Sequence, residues 1–300
     1  MIDTPTLPEA AVWVVLGLAV VTQFLRWRLS WVLFGLAIAS ALVTSRLTGL
    51  GLVSIAPGFA LAFLLSPHAP EQLRVSSRPT TGAVVQILIV AWSAALMLHV
   101  LPGFNNLLLL DRVQSGPASL PYTLYLNLDK PMIFFAMMIA FPGMLTIERS
   151  RYAAGKRGAV LAGLGVGEWA LLVALFLLVM GIALLSGFIR PELSLPGWIW
   201  IFAFNNLLFT CVAEETLFRG YLQNLFARRA GTAVAVVAAG CLFGVAHSLG
   251  GWTYVLLSSI AGVLYGLAYC FSGRLLVAVV VHFLLNLTHL VFFTYPVVAP

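Results

Sequence analysis

Cys211-Val-Ala-Glu214-Glu215-Thr-Leu-Phe-Arg219-Gly220 sets two adjacent carboxylates and a guanidinium at the end of an apolar run. The residues before it, Trp198 to Thr210, carry no charge at all. An ionisable side chain deep in a bilayer costs roughly 3 kcal/mol, so three together in such a segment mark a site. Helical spacing places Glu215 and Arg219, at i and i+4, on one face where they neutralise each other. Glu214 is turned about 100° away from that pair, which makes it the carboxylate better placed for chemistry. The competing structural reading is an ion pair with a second glutamate beside it at a helix end.

Working outward, the chain has 300 residues, 61% hydrophobic and 9% charged, with mean hydropathy +1.03. Soluble domains carry about a quarter charged residues. The composition therefore predicts an all-α, polytopic membrane bundle of about eight to ten transmembrane helices. Apolar segments fall near residues 10–25, 30–45, 50–65, 82–100, 131–147, 160–187, 198–217, 232–247, 253–271 and 275–293. Several are shorter than the ~20 residues of a span, so the second and third can instead form a re-entrant pair. Residues 1–197 read as an N-terminal transmembrane region, and 198–295 as the helical core that carries the polar motifs. The connection 101–130 mixes Leu and Tyr with Asn105, Asn106 and Asp129, and is broken by Pro117 and Pro121. It reads as an outer cap over the bundle, with a lid or interfacial segment as the alternative. His99 and Glu168, near segment ends, read as interfacial residues without a role.

The net charge of +6 does not indicate nucleic acid, because no basic run is interleaved with aromatics. The basic residues report topology instead. Ten spans with the N-terminus outside put Arg26, Arg28, Arg74, Arg78, Arg149, Arg151, Lys156, Arg157, Arg219, Arg228, Arg229 and Arg274 inside. Arg46, Arg112, Lys130 and Arg190 fall outside, a clear positive-inside bias. Both termini are then expected outside. The N-terminus carries Asp3 and Glu9 without Lys or Arg, so the first apolar run is expected to remain as an anchor. Cys211, Cys241 and Cys270 lie in apolar runs without CxxC spacing, which suggests neither a disulfide framework nor a zinc knuckle.

Two further polar insertions follow the glutamates, Phe243-Gly-Val-Ala-His247 and His282-Phe-Leu-Leu-Asn286. A lone intramembrane histidine is more often a packing residue than a catalyst. Two of them with a glutamate pair and an asparagine one turn from His282 point to chemistry. His282 and Asn286 share a helix face. His289, on the same stripe, is expected at the outer interface. A glutamate can take a proton from water, and a His–Asn pair can donate to an oxyanion. No serine or cysteine is obviously placed as a nucleophile beside these histidines, so the set suits hydrolysis by activated water. The same donors admit a zinc held by Glu214, His247 and His282, although the HExxH pattern is absent. A proton relay or transporter is another use of such residues, but the inverted repeats of transporters are not evident.

Glu214-Glu215-x-x-x-Arg219, Phe243-x-x-x-His247 and His282-x-x-x-Asn286 resemble, in order, the three motifs of the CAAX prenyl protease and bacteriocin-processing (CPBP, or Abi) family. The resemblance covers roughly 198–295. It implies an intramembrane endopeptidase similar to the type II enzyme that removes the last three residues of prenylated CAAX proteins. It further implies that Glu214 and His247 activate water, that His282 and Asn286 form the oxyanion hole, and that Glu215, Arg219 and Phe243 support them. No cofactor is implied by the glutamate-protease mechanism; a zinc metalloprotease is the alternative, and a non-catalytic scaffold or immunity protein another. The expected partners are membrane lipids and a lipid- or helix-anchored protein substrate. The Ala-, Leu- and Gly-rich composition points to a bacterial inner membrane.

Overall fold

The computed structural model describes residues 5–25, 28–75, 79–146 and 164–299. Arg26, Arg78, Arg149, Arg151, Lys156 and Arg157 of the topology reading lie outside them. The chain divides into two compact units. The first comprises Met1–Asp111, Thr123–Gly143 and Leu208–Ala213, and the second Arg112–Tyr122, Met144–Leu207 and Glu214–Pro300.

The first unit contains α1 (Leu7–Phe24), α2 (Leu29–Val43), α3 (Gly49–Leu65), α4 (Pro79–Met97) and α5 (Asp129–Ala140). Thr6 starts α1, donating its backbone N–H and hydroxyl to Glu9 at 2.9 and 2.8 Å. Glu9 is in turn paired with Arg46. α5 is the core of this unit. Ten of its twelve residues are buried, and at about 18 Å it is too short to cross a bilayer. The apolar segment near 131–147 is therefore an internal packing element, hydrophobic all round because it is enclosed. Phe34 stacks on Phe135 with ring centroids 4.0 Å apart, and Phe24 on Phe134 at 5.4 Å. Asp129, which opens α5, is buried and lies 2.6 Å from Nδ1 of His99. His99 thus compensates a buried carboxylate, a role the sequence reading did not give it.

The connection 101–130 is more regular than an outer cap broken by prolines. Strands β1 (Leu107–Val113) and β2 (Tyr122–Leu126) pair as a two-stranded sheet. Pro117 and Pro121 fall between the strands, where the missing N–H removes no ladder hydrogen bond.

The second unit contains α6 (Val166–Leu185), α7 (Ile199–Ala230) apart from Leu208–Ala213, α8 (Thr232–Val245), α9 (Gly251–Ser272) and α10 (Leu275–Phe292). Glu168 caps α6 by accepting the Gly165 N–H at 2.9 Å. The motif helix α7 runs 32 residues. As a regular α-helix that is about 48 Å, more than a bilayer. It is continuous through Gly220. Two π-helical stretches, Asn206–Cys211 and Thr216–Gln223, flank Val212–Glu215. Such wide turns shorten the helix for a given number of residues and are frequent at functional sites.

α8 and α9 pack backbone to backbone through small residues one turn apart on each helix, Gly240 and Gly244 against Gly262 and Ser259. A Cβ on Gly244 would lie 2.0 Å from Ser259 Oγ and 2.5 Å from the Val255 carbonyl oxygen. One on Gly262 would lie 2.8 Å from the Gly240 Cα. Small residues permit this approach between membrane helices, where dispersion and hydrogen bonding drive association. Gly244→Leu should therefore force the helices apart and cost about 1–3 kcal/mol. Gly181→Leu is the control, since nothing lies within 4 Å of its Cβ direction. Melting of the detergent-purified variants measures the difference, and equal melting would remove the seam as a structural requirement.

Among the described residues, six helices are long and apolar enough to cross a membrane: α1, Thr80–Met97 of α4, α6, α7, Ser248–Ser272, which includes α9, and α10. α2, α3 and α8 are shorter apolar helices. The protein is an integral membrane helix bundle.

Candidate active site

The site is built from α7, α8, α9 and α10, and all its residues belong to the second unit. Its base is the fully buried Arg219, which donates to Glu215 at 3.0 Å and to the Gly262 carbonyl at 2.8 Å. The i, i+4 pairing read from the sequence is thus formed. The guanidinium also lies over the rings of Phe243, at 4.6 Å, and Tyr265, at 5.2 Å. Gly262 has no side chain to keep Arg219 from its carbonyl. One turn on, Gln223 donates to the Gly266 carbonyl at 3.1 Å, so α7 is tied to α9 at two successive turns.

Glu215, fully buried, holds a second partner: its Oε1 lies 2.8 Å from Nδ1 of His282. The imidazole is clamped by rings as well. Tyr265 stacks on it with centroids 4.4 Å apart and an interplanar angle of 15°, while Phe243 meets it edge-on at 5.6 Å. Nε2 of His282, on the far side of the ring, lies 4.0 Å from Oε2 of Glu214. That is beyond a direct hydrogen bond. The two carboxylates are therefore differentiated as their rotation about the helix suggested: Glu215 takes Arg219 and the His282 Nδ1, and Glu214 faces Nε2.

Phe243 connects the second motif to this cluster. Its carbonyl oxygen lies 2.7 Å from Nδ1 of His247, and its ring lies 4.6 Å from that imidazole and 5.1 Å from Phe218. Tyr254 packs edge-on against the other side of His247 at 5.4 Å. His247 is half-buried, so Phe243 stands between a buried histidine and a partly open one. Asn286 is half-buried and donates through Nδ2 to Oδ1 of Asn206 at 3.2 Å. His289 lies 3.1 Å from the Thr294 carbonyl oxygen and packs on Tyr295, at the end of α10 and not in the glutamate cluster.

Several residues here had no signal in the sequence. Tyr265 and Gly262 sit in an apolar run like any other, and only the packing of α9 on α7 and α10 brings them to Arg219 and His282. Asn206 was visible as a polar residue in an uncharged run, without a partner to give it meaning. Among the described residues, no three His, Cys, Asp or Glu side chains form a group suited to a metal ion.

The arrangement offers a carboxylate and an imidazole nitrogen facing each other across one atom's width, beside a buried, internally neutralised ion pair. Residues 196–288 match the family model for type II CAAX prenyl endopeptidase Rce1-like proteins. No curated protein and no solved structure matches the chain. The matched stretch contains all three motifs and supports a membrane-embedded hydrolase of the protease class. The match over residues 196–288 supports membership of the CPBP family, to whose type II CAAX prenyl endopeptidase (Rce1-like) model that stretch is similar.

Proposed function

We propose that this protein is an intramembrane endopeptidase of the inner membrane that hydrolyses a peptide bond of a membrane-anchored protein with water activated by Glu214 and His247. The observation that carries this reading is the 4.0 Å separation of Glu214 Oε2 from His282 Nε2, with Nδ1 of that ring held by Glu215. A water in such a gap reaches both groups at hydrogen-bond distance. In the reaction the water oxygen attacks the carbonyl carbon of the scissile bond. Its proton passes to Glu214 while His247 orients the water, and the electron pair of the C=O bond moves onto oxygen. His282 and Asn286 donate to that oxyanion. With Nδ1–H given to Glu215, His282 donates through Nε2 only as imidazolium. Collapse of the intermediate breaks the C–N bond, and the proton taken by Glu214 leaves on the amine.

The location of the site bears on the substrate. Glu214, His247 and His282 all lie on apolar helices or at their ends. A fully hydrated peptide would have to shed water from its backbone groups at several kcal/mol for each left unsatisfied. A lipid- or helix-anchored substrate keeps its apolar part in the bilayer throughout. Entry from the cytoplasmic side accords with Arg228 and Arg229 at the end of α7. An internally quenched reporter peptide ending in a farnesylated CAAX sequence, compared with the same peptide lacking the lipid, tests this in vesicles. Cleavage confined to the anchored form is expected; comparable turnover of the bare peptide overturns the anchored-substrate reading.

One observation favours a metalloprotease as the second reading. Nδ1 of both histidines faces an oxygen acceptor, Glu215 or the Phe243 carbonyl, as is usual for zinc-bound imidazoles. Against it, Glu214, His247 and His282 do not come together as a ligand group, and no step is routed through a metal. Elemental analysis of the purified protein should find no stoichiometric zinc, and chelation should leave turnover intact. One zinc per chain, with activity lost on its removal, would instead make those three residues ligands.

A further inference from the structure

We infer that Asn206 is a positioning residue for the hydrolysis proposed above, fixing the amide of Asn286 as Glu215 fixes the ring of His282. The inference rests on that functional reading. Its observation is a parallel between two helices: both α10 side chains assigned to the oxyanion are held by acceptors on α7. Glu215 Oε1 takes His282 Nδ1 at 2.8 Å, and Asn206 Oδ1 takes Asn286 Nδ2 at 3.2 Å. Asn206 is 8% exposed and belongs to the π-helical stretch Asn206–Cys211 of α7.

An asparagine amide presents an acceptor on one side and two donors on the other, and its terminal torsion is broad. Without a constraint, Asn286 can turn its oxygen toward a developing negative charge, which is repulsive. A carbonyl oxygen on Asn206 selects the nitrogen side of the Asn286 amide. With one N–H committed to Asn206, the amide plane is set and the second N–H has a defined direction. Oxyanion stabilisation depends on donors oriented before charge develops, so this constraint acts on the chemical step and not on substrate binding. The wide turn at Asn206–Cys211 has a matching role. A π turn alters which residues of a helix share a face, and thereby sets the direction of Asn206 relative to Glu214 and Glu215 further along α7.

The test is a double-mutant cycle on the full-length protein in vesicles with the farnesylated reporter. Asn206→Leu and Asn206→Ala are each made alone and combined with Asn286→Ala, and melting is recorded for all. Asn286→Ala should lower kcat about 10²-fold. Each Asn206 variant should lower kcat roughly tenfold with KM unchanged, as expected for a small misplacement of a reacting group. In the Asn286→Ala background neither should have a further effect. Two results overturn the inference alone: an unchanged kcat in both single variants, or losses that multiply in the double mutants. A loss that tracks melting in both variants also overturns it, assigning Asn206 to packing. No hydrolysis by the wild type, or no effect of Asn286→Ala, overturns the functional reading and this inference with it.

Discussion

Glu214→Gln should abolish turnover of the anchored reporter while leaving melting and yield of the protein unchanged. The substitution keeps size and hydrogen-bonding capacity and removes the only property the proposed chemistry needs, a carboxylate that accepts a proton. General-base catalysis contributes about 10²- to 10⁴-fold, and the loss should fall at least in that range. The fold is spared because the ion pair of the site does not run through this residue: Arg219 donates to Glu215 and to the Gly262 carbonyl. A Glu214→Gln protein with wild-type kcat would take Glu214 out of the base role and leave the cluster as a packing device.

The neighbouring substitution should behave in the opposite way on stability. Glu215→Gln leaves the fully buried Arg219 without its carboxylate partner and loosens the His282 ring. Removing one partner of a buried ion pair costs about 3–5 kcal/mol, because the remaining charge is left in low dielectric. Melting and folded yield should therefore drop together with activity. Replacing both charges, as Glu215→Gln with Arg219→Met, should recover much of the stability, since apolar substitution of a whole buried pair is often neutral. It should not recover activity, because His282 Nδ1 has lost its carboxylate. Melting curves and kcat of the four proteins check this. A Glu215→Gln single variant as stable as the wild type would show that Arg219 finds its compensation elsewhere, in Gly262 and the rings of Phe243 and Tyr265.

These two outcomes depend on a difference between adjacent glutamates that is already visible in a linear reading. A 3.6-residue period separates Glu214 from the Glu215–Arg219 face, and the structure pairs Glu215 with Arg219. The membrane class, the ten apolar segments and the three polar insertions were equally legible, because hydropathy and helical periodicity are local properties. The same locality explains the misses. Residues 131–147 read as a span because apolar content alone does not distinguish a helix facing lipid from one enclosed by protein; α5 is the latter. The strands of 101–130 were hidden because a short hairpin owes its existence to pairing between separated residues. The π-helical stretches of α7 left no mark in the hydropathy pattern.

By itself, the sequence determined a helical membrane protein, the order of its apolar segments, the Glu215–Arg219 face and the set of polar residues available for chemistry. Tertiary structure alone decided their partners. His282 became Glu215's second ligand, with Glu214 left facing Nε2, because α10 packs beside α7. Tyr265 and the Gly262 carbonyl entered the site because α9 packs on α7 and α10. Asn286 acquired Asn206 across 80 residues of chain. Each of these is a contact between segments far apart in sequence. Such contacts depend on how helices cross, a property of side-chain volume at the seams and not of any local pattern.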